Sequence, residues 1–239
     1  MTWQFLNMLI AAVALLFSVG PKVRTWFKAK RLEVGFHQRI NIGHRVGNPW
    51  IGVHVSIKNT GGREVKIKKM SAVVSRDGTL VCTLPGSAFF ENSGDQASSL
   101  LLAFKLKPGD EWAHTVTFAS EATRTREERY RNALHPLVES ITALKVSGDG
   151  RPDRIVRAPE SFAEPFEELF AEQFVWERGE YSLDIRLETE PQLAPIDNLR
   201  FTLFDSDSEY FKAQVKEYDT GAGIYWDSLT SGYLSIPLS

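Results

Sequence analysis

Apolar residues that recur at every second position constrain this chain more than any other feature. Ile51, Val53, Val55 and Ile57 alternate with Gly52, His54, Ser56 and Lys58, which gives a strand one face for a core and one for water. Asn59-Thr60-Gly61-Gly62 follows as a turn, built from residues that tolerate positive φ. Val65 and Ile67 resume the alternation, but the apolar parity then shifts to Met70, Ala72 and Val74. A bulge near Lys68 and Lys69, or passage of the strand from one sheet to another, accounts for the slip. The same period predicts strands over residues 32–42, 79–90 with Pro85-Gly86 interrupting, 100–106 and 112–118, and later over 181–187 and 199–203. Lys107-Pro108-Gly109-Asp110 is a turn between two of them. This many short alternating strands predicts a mainly β fold, a β-sandwich.

The run VHVSIKNTGGREVKI, the Arg76-Asp77-Gly78 turn and LKPGDEWAHTVTF together resemble the immunoglobulin-like adhesion and binding modules of bacteria and archaea. Those modules carry an Asn-x-Gly turn after the second strand and a Leu-x-Pro-Gly-Asp turn before a later one. Glu177-Arg178-Gly179-Glu180-Tyr181 is similar to the Gly-x-Tyr corner of immunoglobulin-like folds. The resemblance implies that Tyr181 is a structural corner bonded back to the backbone. It spans residues 49–118 and 177–205 and speaks to fold alone. The chain departs from the family over residues 120–176, where a short loop would be expected.

That insertion has helical periodicity. Tyr130, Leu134, Leu137, Val138, Ile141 and Leu144 follow the helical period, with Ser120 as N-cap, Glu121 in the first turn and a break or kink at Pro136. A second helix gathers Phe162, Phe166, Leu169, Phe170 and Phe174 on one face, with capping-box spacing at Ser161 and Glu164. A third short helix is predicted over residues 207–216. No linker or internal repeat separates sheet from helices, so one β-domain is expected over 32–239 with a helical insertion at 120–176.

The N-terminus is of another kind. From Trp3 to Val19 the chain is uncharged and lacks proline, and Gly20-Pro21 ends it. At ~1.5 Å per residue this run spans about 25 Å against a hydrocarbon core of about 30 Å. A transmembrane anchor over residues 1–20 is therefore expected. The basic juxtamembrane segment 21–31 holds Lys22, Arg24, Lys28, Lys30 and Arg31, side chains suited to an anionic membrane surface. By the positive-inside rule they place the C-terminal domain in the cytoplasm of a single-pass cell-membrane protein. The alternative is export after signal cleavage near Ser18-Val19-Gly20, but the positive charges lie on the wrong side for that. Gln4, Asn7, Ala11, Ala14 and Ser18 recur every three or four residues, a stripe on which two such helices can associate. With those five basic residues set aside, residues 32–239 carry 23 basic against 30 acidic side chains, a net charge of −7. Such a body is expected to bind no nucleic acid and to be held off an anionic membrane.

Catalytic signatures are few. Asp205, Asp207 and Glu209 open like a calcium loop, but Tyr210 and Lys216 stand where that loop needs Gly and Glu. An N-terminal helix turn capped by Ser206 and Glu209 accounts for the acids. His37, His44, His54, His114 and His135 lack metal-motif spacing, and His114, sharing a face with Trp112, Val116 and Phe118, is read as a core residue. Cys82 is the only cysteine; it excludes an intramolecular disulfide and is read as a small buried hydrophobe. Gly221-Ala222-Gly223 lacks the context of a dinucleotide site. Arg124, Arg126, Arg129 and Arg131 form a basic helix face that is either solvated or a contact for anions, whereas the Phe-rich helix is acidic. No catalytic residue, metal ligand or cofactor is assigned. The expectation is a membrane-anchored binding or scaffold protein with a protein partner or a second copy of itself. The alternatives are an oligomerising sensor or effector triggered by a ligand, and a membrane-bound hydrolase using His114 or the acids near Asp207.

Overall fold

The structure is a computed structural model that describes Trp3 and residues 31–91, 97–147, 155–190, 198–226 and 232–239. The association stripe Gln4, Asn7, Ala11, Ala14 and Ser18, and Lys22, Arg24, Lys28 and Lys30, lie outside the described residues. Among the described residues no helix is long and apolar enough to cross a membrane.

The protein is mainly β. Among the described residues, ten antiparallel strands form one sheet: β1 (Leu32–Arg45), β2 (Asn48–Asn59), β3 (Val65–Arg76), β4 (Thr79–Phe90), β5 (Ser99–Leu100), β6 (Phe104–Leu106), β7 (Glu111–Ala119), β8 (Gly179–Glu190), β9 (Asn198–Leu203) and β10 (Leu234–Pro237). Their order is β10-β1-β2-β7-β4-β3-β8-β9, with β5 added to β4 and β6 to β3. The two outer strands then meet, for Ser239 N–H donates to the Arg200 carbonyl at 2.9 Å and Leu238 N–H to that of Gln38 at 2.8 Å. The sheet is thus rolled nearly shut, where two separate layers were expected.

One strand produces the roll. The first half of β4 pairs with β3 as far as Ser71 beside Pro85, and from Gly86 onward it pairs with β7. Pro85 has no N–H to continue the first ladder. Gly86 lets the strand turn past its neighbours, since a Cβ there would sit 2.8 Å from Leu101 and 3.3 Å from Met70. The parity slip in β3 is a separate event, a bulge between Ile67 and Lys69 in the ladder with β8. Residues expected as one strand over 100–106 divide into β5 and β6, and β10 was not expected at all.

Ile51, Val53, Val55 and Ile57 point inward beside Val116, Phe118, Leu183, Ile185 and Phe201 in the main core. Among the described residues from Arg31 on, three helices and two 3₁₀ segments cover one end: α1 (Arg124–Ser147), α2 (Glu164–Gln173) and α3 (Asp205–Ala213), with Glu160–Phe162 and Gln214–Thr220. Their capping differs from expectation in register. Thr123, not Ser120, starts α1, its hydroxyl accepting from Arg126 N–H at 3.4 Å. The helix runs unbroken through Pro136. That residue is exposed, so the carbonyl it frees lies open to solvent, while buried Leu137 and Ile141 hold the following turn. Ser161 lies in the 3₁₀ turn, and α2 begins after it with Pro165 in its first turn. In α3 the Asp207 carboxylate accepts from Phe204 N–H at 2.9 Å, a one-way cap that falls earlier than Ser206 and Glu209 would place it.

A second core joins helices to sheet. Val46, at the tip of the β1–β2 hairpin, is buried among Leu137, Ile141, Phe166, Leu169 and Phe170. Val46 and Gly47 have φ of 48° and 79°, the positive values that two-residue hairpin turns favour. A β-branched residue there is strained, and burial of its side chain offsets the cost.

The two ends of the roll are therefore unlike. At one, Thr60 and Gly61 N–H both donate to the Arg31 carbonyl at 3.1 Å, which fixes where the chain enters β1. Asn59, fully buried, ties that end together. Its amide donates to the Arg63 and Leu106 carbonyls at 2.8 Å each and its side-chain oxygen accepts from Gly61 N–H at 3.0 Å. At the other end α1, α2 and α3 each adjoin a strand terminus, after β7, before β8 and after β9.

Candidate functional site

A polar hollow of ≈ 300 Å³ lies on the outer face of the sheet. Because side chains alternate faces along a strand, β1 contributes His37, Arg39 and Asn41 there and β2 contributes His54 beside Gly52. Thr115 of β7 and Ser235 of β10 complete it. Gly52 makes the floor, and Trp50 bounds it, 3.6 Å from where a Gly52 Cβ would stand. Arg39 N–H donates to His37 Nδ1 at 3.2 Å, which puts the imidazole hydrogen of the neutral ring on the outward Nε2. Arg39 Nε donates to Ser235 Oγ at 3.1 Å, and Nη2 donates to the Ser235 carbonyl. Three of its five N–H groups remain available. His54 Nδ1 lies 3.3 Å from Thr115 Oγ1.

Every residue singled out in the sequence among those described has a place. Three of the four arginines of the basic helix face are engaged within the molecule, and Arg124 is exposed at the first turn of the helix. Arg129 Nη1 donates to both Glu172 oxygens at 2.8 and 2.9 Å, Arg131 pairs with Glu127 at 2.7 Å, and Arg126 donates to the Val46 carbonyl at 3.2 Å. The acidic Phe-rich helix is thus the partner of the basic one, and its Phe166 and Phe170 pack inside the same molecule. Asp205 pairs with Arg178 at 3.1 Å and Glu209 lies 3.8 Å from Lys212, so the acids of α3 do not converge. Among the described residues no three His, Cys, Asp or Glu groups are placed to hold a metal ion. His114 packs between Trp112 and Phe89, ring centres 4.7 and 5.0 Å away. Cys82 is half-buried, and burial pushes its thiol up to about 11, so it is no thiolate nucleophile at neutral pH. The Tyr181 hydroxyl, which has one hydrogen, lies 2.9 Å from the Val175 carbonyl and 2.7 Å from that of Glu177. Arg31 contributes its carbonyl to the entry turn.

His44 joins the two cores. Its ring meets those of Phe170, Phe174 and Phe211 edge-on at 5.2, 5.9 and 5.4 Å, and its Nδ1 accepts from Gly47 N–H at 3.3 Å. Nε2 is enclosed near the Phe211 backbone, with no partner at good hydrogen-bond geometry. Burial lowers the imidazole to about 4 from an ordinary 6.5, with the Phe211 backbone opposing weakly. Protons therefore bind the unfolded chain as pH falls through ~6.5, while folded His44 stays neutral down to ~4. This contribution is complete above pH 6.5 and is lost as pH falls to 4. Because one edge of the ring keeps some exposure, the loss is about 2 kcal/mol rather than the full shift. Urea unfolding at pH 7.5 and 4.5 should show wild type losing about 2 kcal/mol more than His44→Leu; equal losses would exclude the effect.

The chain matches no protein-family model, and no curated protein matches it.

Proposed function

We propose that the chain is a single-pass membrane-anchored binding or scaffold protein, with residues 1–20 as anchor and residues 32–239 as a cytoplasmic, immunoglobulin-like domain. The polarity of the roll supports this reading. The chain enters at the end where the Asn59–Gly62 turn holds Arg31, while all three helices gather at the other end. An anchor followed by the basic segment 21–31 then presents the helical end away from the lipid. The outward hollow and the absence of a converging acid–base or metal cluster among the described residues favour binding over hydrolysis. The immunoglobulin-like assignment draws on the Asn59 and Lys107–Asp110 turns and on the Tyr181 corner, set in a sheet that β4 divides between two partner strands.

Topology tests it directly. A reporter active only in the cytoplasm, fused after Ser239, should be active and membrane-bound. Activity of an export-dependent reporter at the same position, or recovery of the fusion in the soluble fraction, would overturn the reading.

A further inference from the structure

We propose that the outer-face hollow binds a phosphate-bearing small molecule. Its lining is unusual for this protein. The body carries a net charge of −7, yet none of the residues around the hollow is acidic. What converges there is donors: the His37 Nε2–H, the free guanidinium hydrogens of Arg39, the Asn41 amide and one further hydrogen from the bonded pair Thr115 and His54, the other being used between them. Glu111, on the same strand as Thr115, is already engaged by Ser56 Oγ at 3.0 Å and by Lys58 at 3.6 Å. No carboxylate of a described residue pairs with Arg39, whereas Arg129, Arg131, Arg157 and Arg178 all have such partners. An unpaired guanidinium among neutral donors suits a tetrahedral oxyanion, which accepts from several directions at once.

Two sources offer that chemistry, a lipid headgroup and a soluble phosphate ester. Gly52 stands seven residues along β2 from the entry turn at Asn59, roughly 23 Å at ~3.3 Å per residue. On an upright domain this is too far from the lipid surface for a headgroup to reach, so the ligand is the soluble ester. That the ligand is the soluble ester rests on the anchored, upright reading; that the hollow takes a phosphate does not.

The experiment is a thermal-unfolding titration of the full chain in neutral detergent with inorganic phosphate and with phenyl phosphate, at constant ionic strength. A saturable rise in melting temperature is expected, as a ligand of the native state gives. Arg39→Gln, on an exposed strand position, should weaken the half-saturation at least tenfold, as should His54→Phe. Gly52→Ala should fold normally, because its methyl meets Asn41 and Trp50 at an ordinary 3.6 Å, and should weaken binding by raising the floor. No saturable rise, or the same rise in Arg39→Gln, would overturn the proposal. So would stabilisation by nanodiscs of phosphatidic acid without any by the soluble phosphates. A topology result against the anchor would leave phosphate binding by the hollow untouched.

Discussion

Trp176→Ala is expected to remove about 3–5 kcal/mol of stability, a large share of the 5–15 kcal/mol typical of a domain. Trp176 is completely buried, and its indole Nε1–H donates to the Gly43 carbonyl at 2.8 Å. It stands between α2 and β8 and packs beside the Tyr181 ring at 5.9 Å, so it joins the return of the helical insertion to the far side of the roll. Truncation leaves a large cavity and takes one hydrogen bond from the Gly43 carbonyl. Trp176→Phe separates the two effects. It retains most of the packing and loses the hydrogen bond, at an expected cost of about 1–3 kcal/mol. Urea unfolding of both variants is the measurement, and a loss under about 1 kcal/mol for the alanine variant would show that the core closes over the gap.

Gly47→Ala should cost about 2–4 kcal/mol, from backbone strain together with a steric clash. The residue has φ of 79°, and a Cβ would fall 2.6 Å from the Phe170 carbonyl oxygen and 2.8 Å from its Cα. These are backbone atoms of α2 and cannot swing aside as a side-chain end would. Gly78→Ala supplies the comparison. Its φ is 80° but nothing lies within 4 Å of its Cβ position, so only the strain of about 1 kcal/mol remains. Hydrogen exchange should quicken across Glu164–Gln173 in the Gly47 variant and not in the Gly78 variant. Equal effects of the two would mean that α2 is not seated on the hairpin.

The strands were legible because each has a wet face and a dry one, and alternation over 51–57 or 181–187 records that directly. Turn chemistry added Asp77-Gly78 and the Lys107–Asp110 turn. Closure was not legible, since it depends on β4 serving two partners and on β10, four residues long, too short to carry a period. Helix existence followed from spacing, but the caps did not. Thr123 and Asp207 won over Ser120 and the Ser206–Glu209 pair because the buried anchors Leu137, Ile141 and Phe211 set the helical phase, and the nearest side chain in that phase took the cap. The hollow was hidden for a different reason. Its groups come from four strands between His37 and Ser235, and in one dimension each is merely an outward polar residue of a strand. Nothing local distinguishes Arg39, which lacks an acidic partner, from Arg129, which has two; only the fold brings Glu168 and Glu172 to the latter.

The pairing of β10 with β1 has a consequence in time. Arg39 faces Pro237 and Ile42 faces Leu234, so one edge of β1 cannot be covered until nearly two hundred further residues have been made. At ~5–20 residues per second that interval lasts about 10–40 s. Throughout it, Ile40 and Ile42, both fully enclosed in the finished domain, lie on a strand with an open edge, the state most prone to pair with a neighbouring chain. Protecting this strand during synthesis is therefore expected to raise the yield of folded protein, and slower translation to lengthen the exposure in direct proportion.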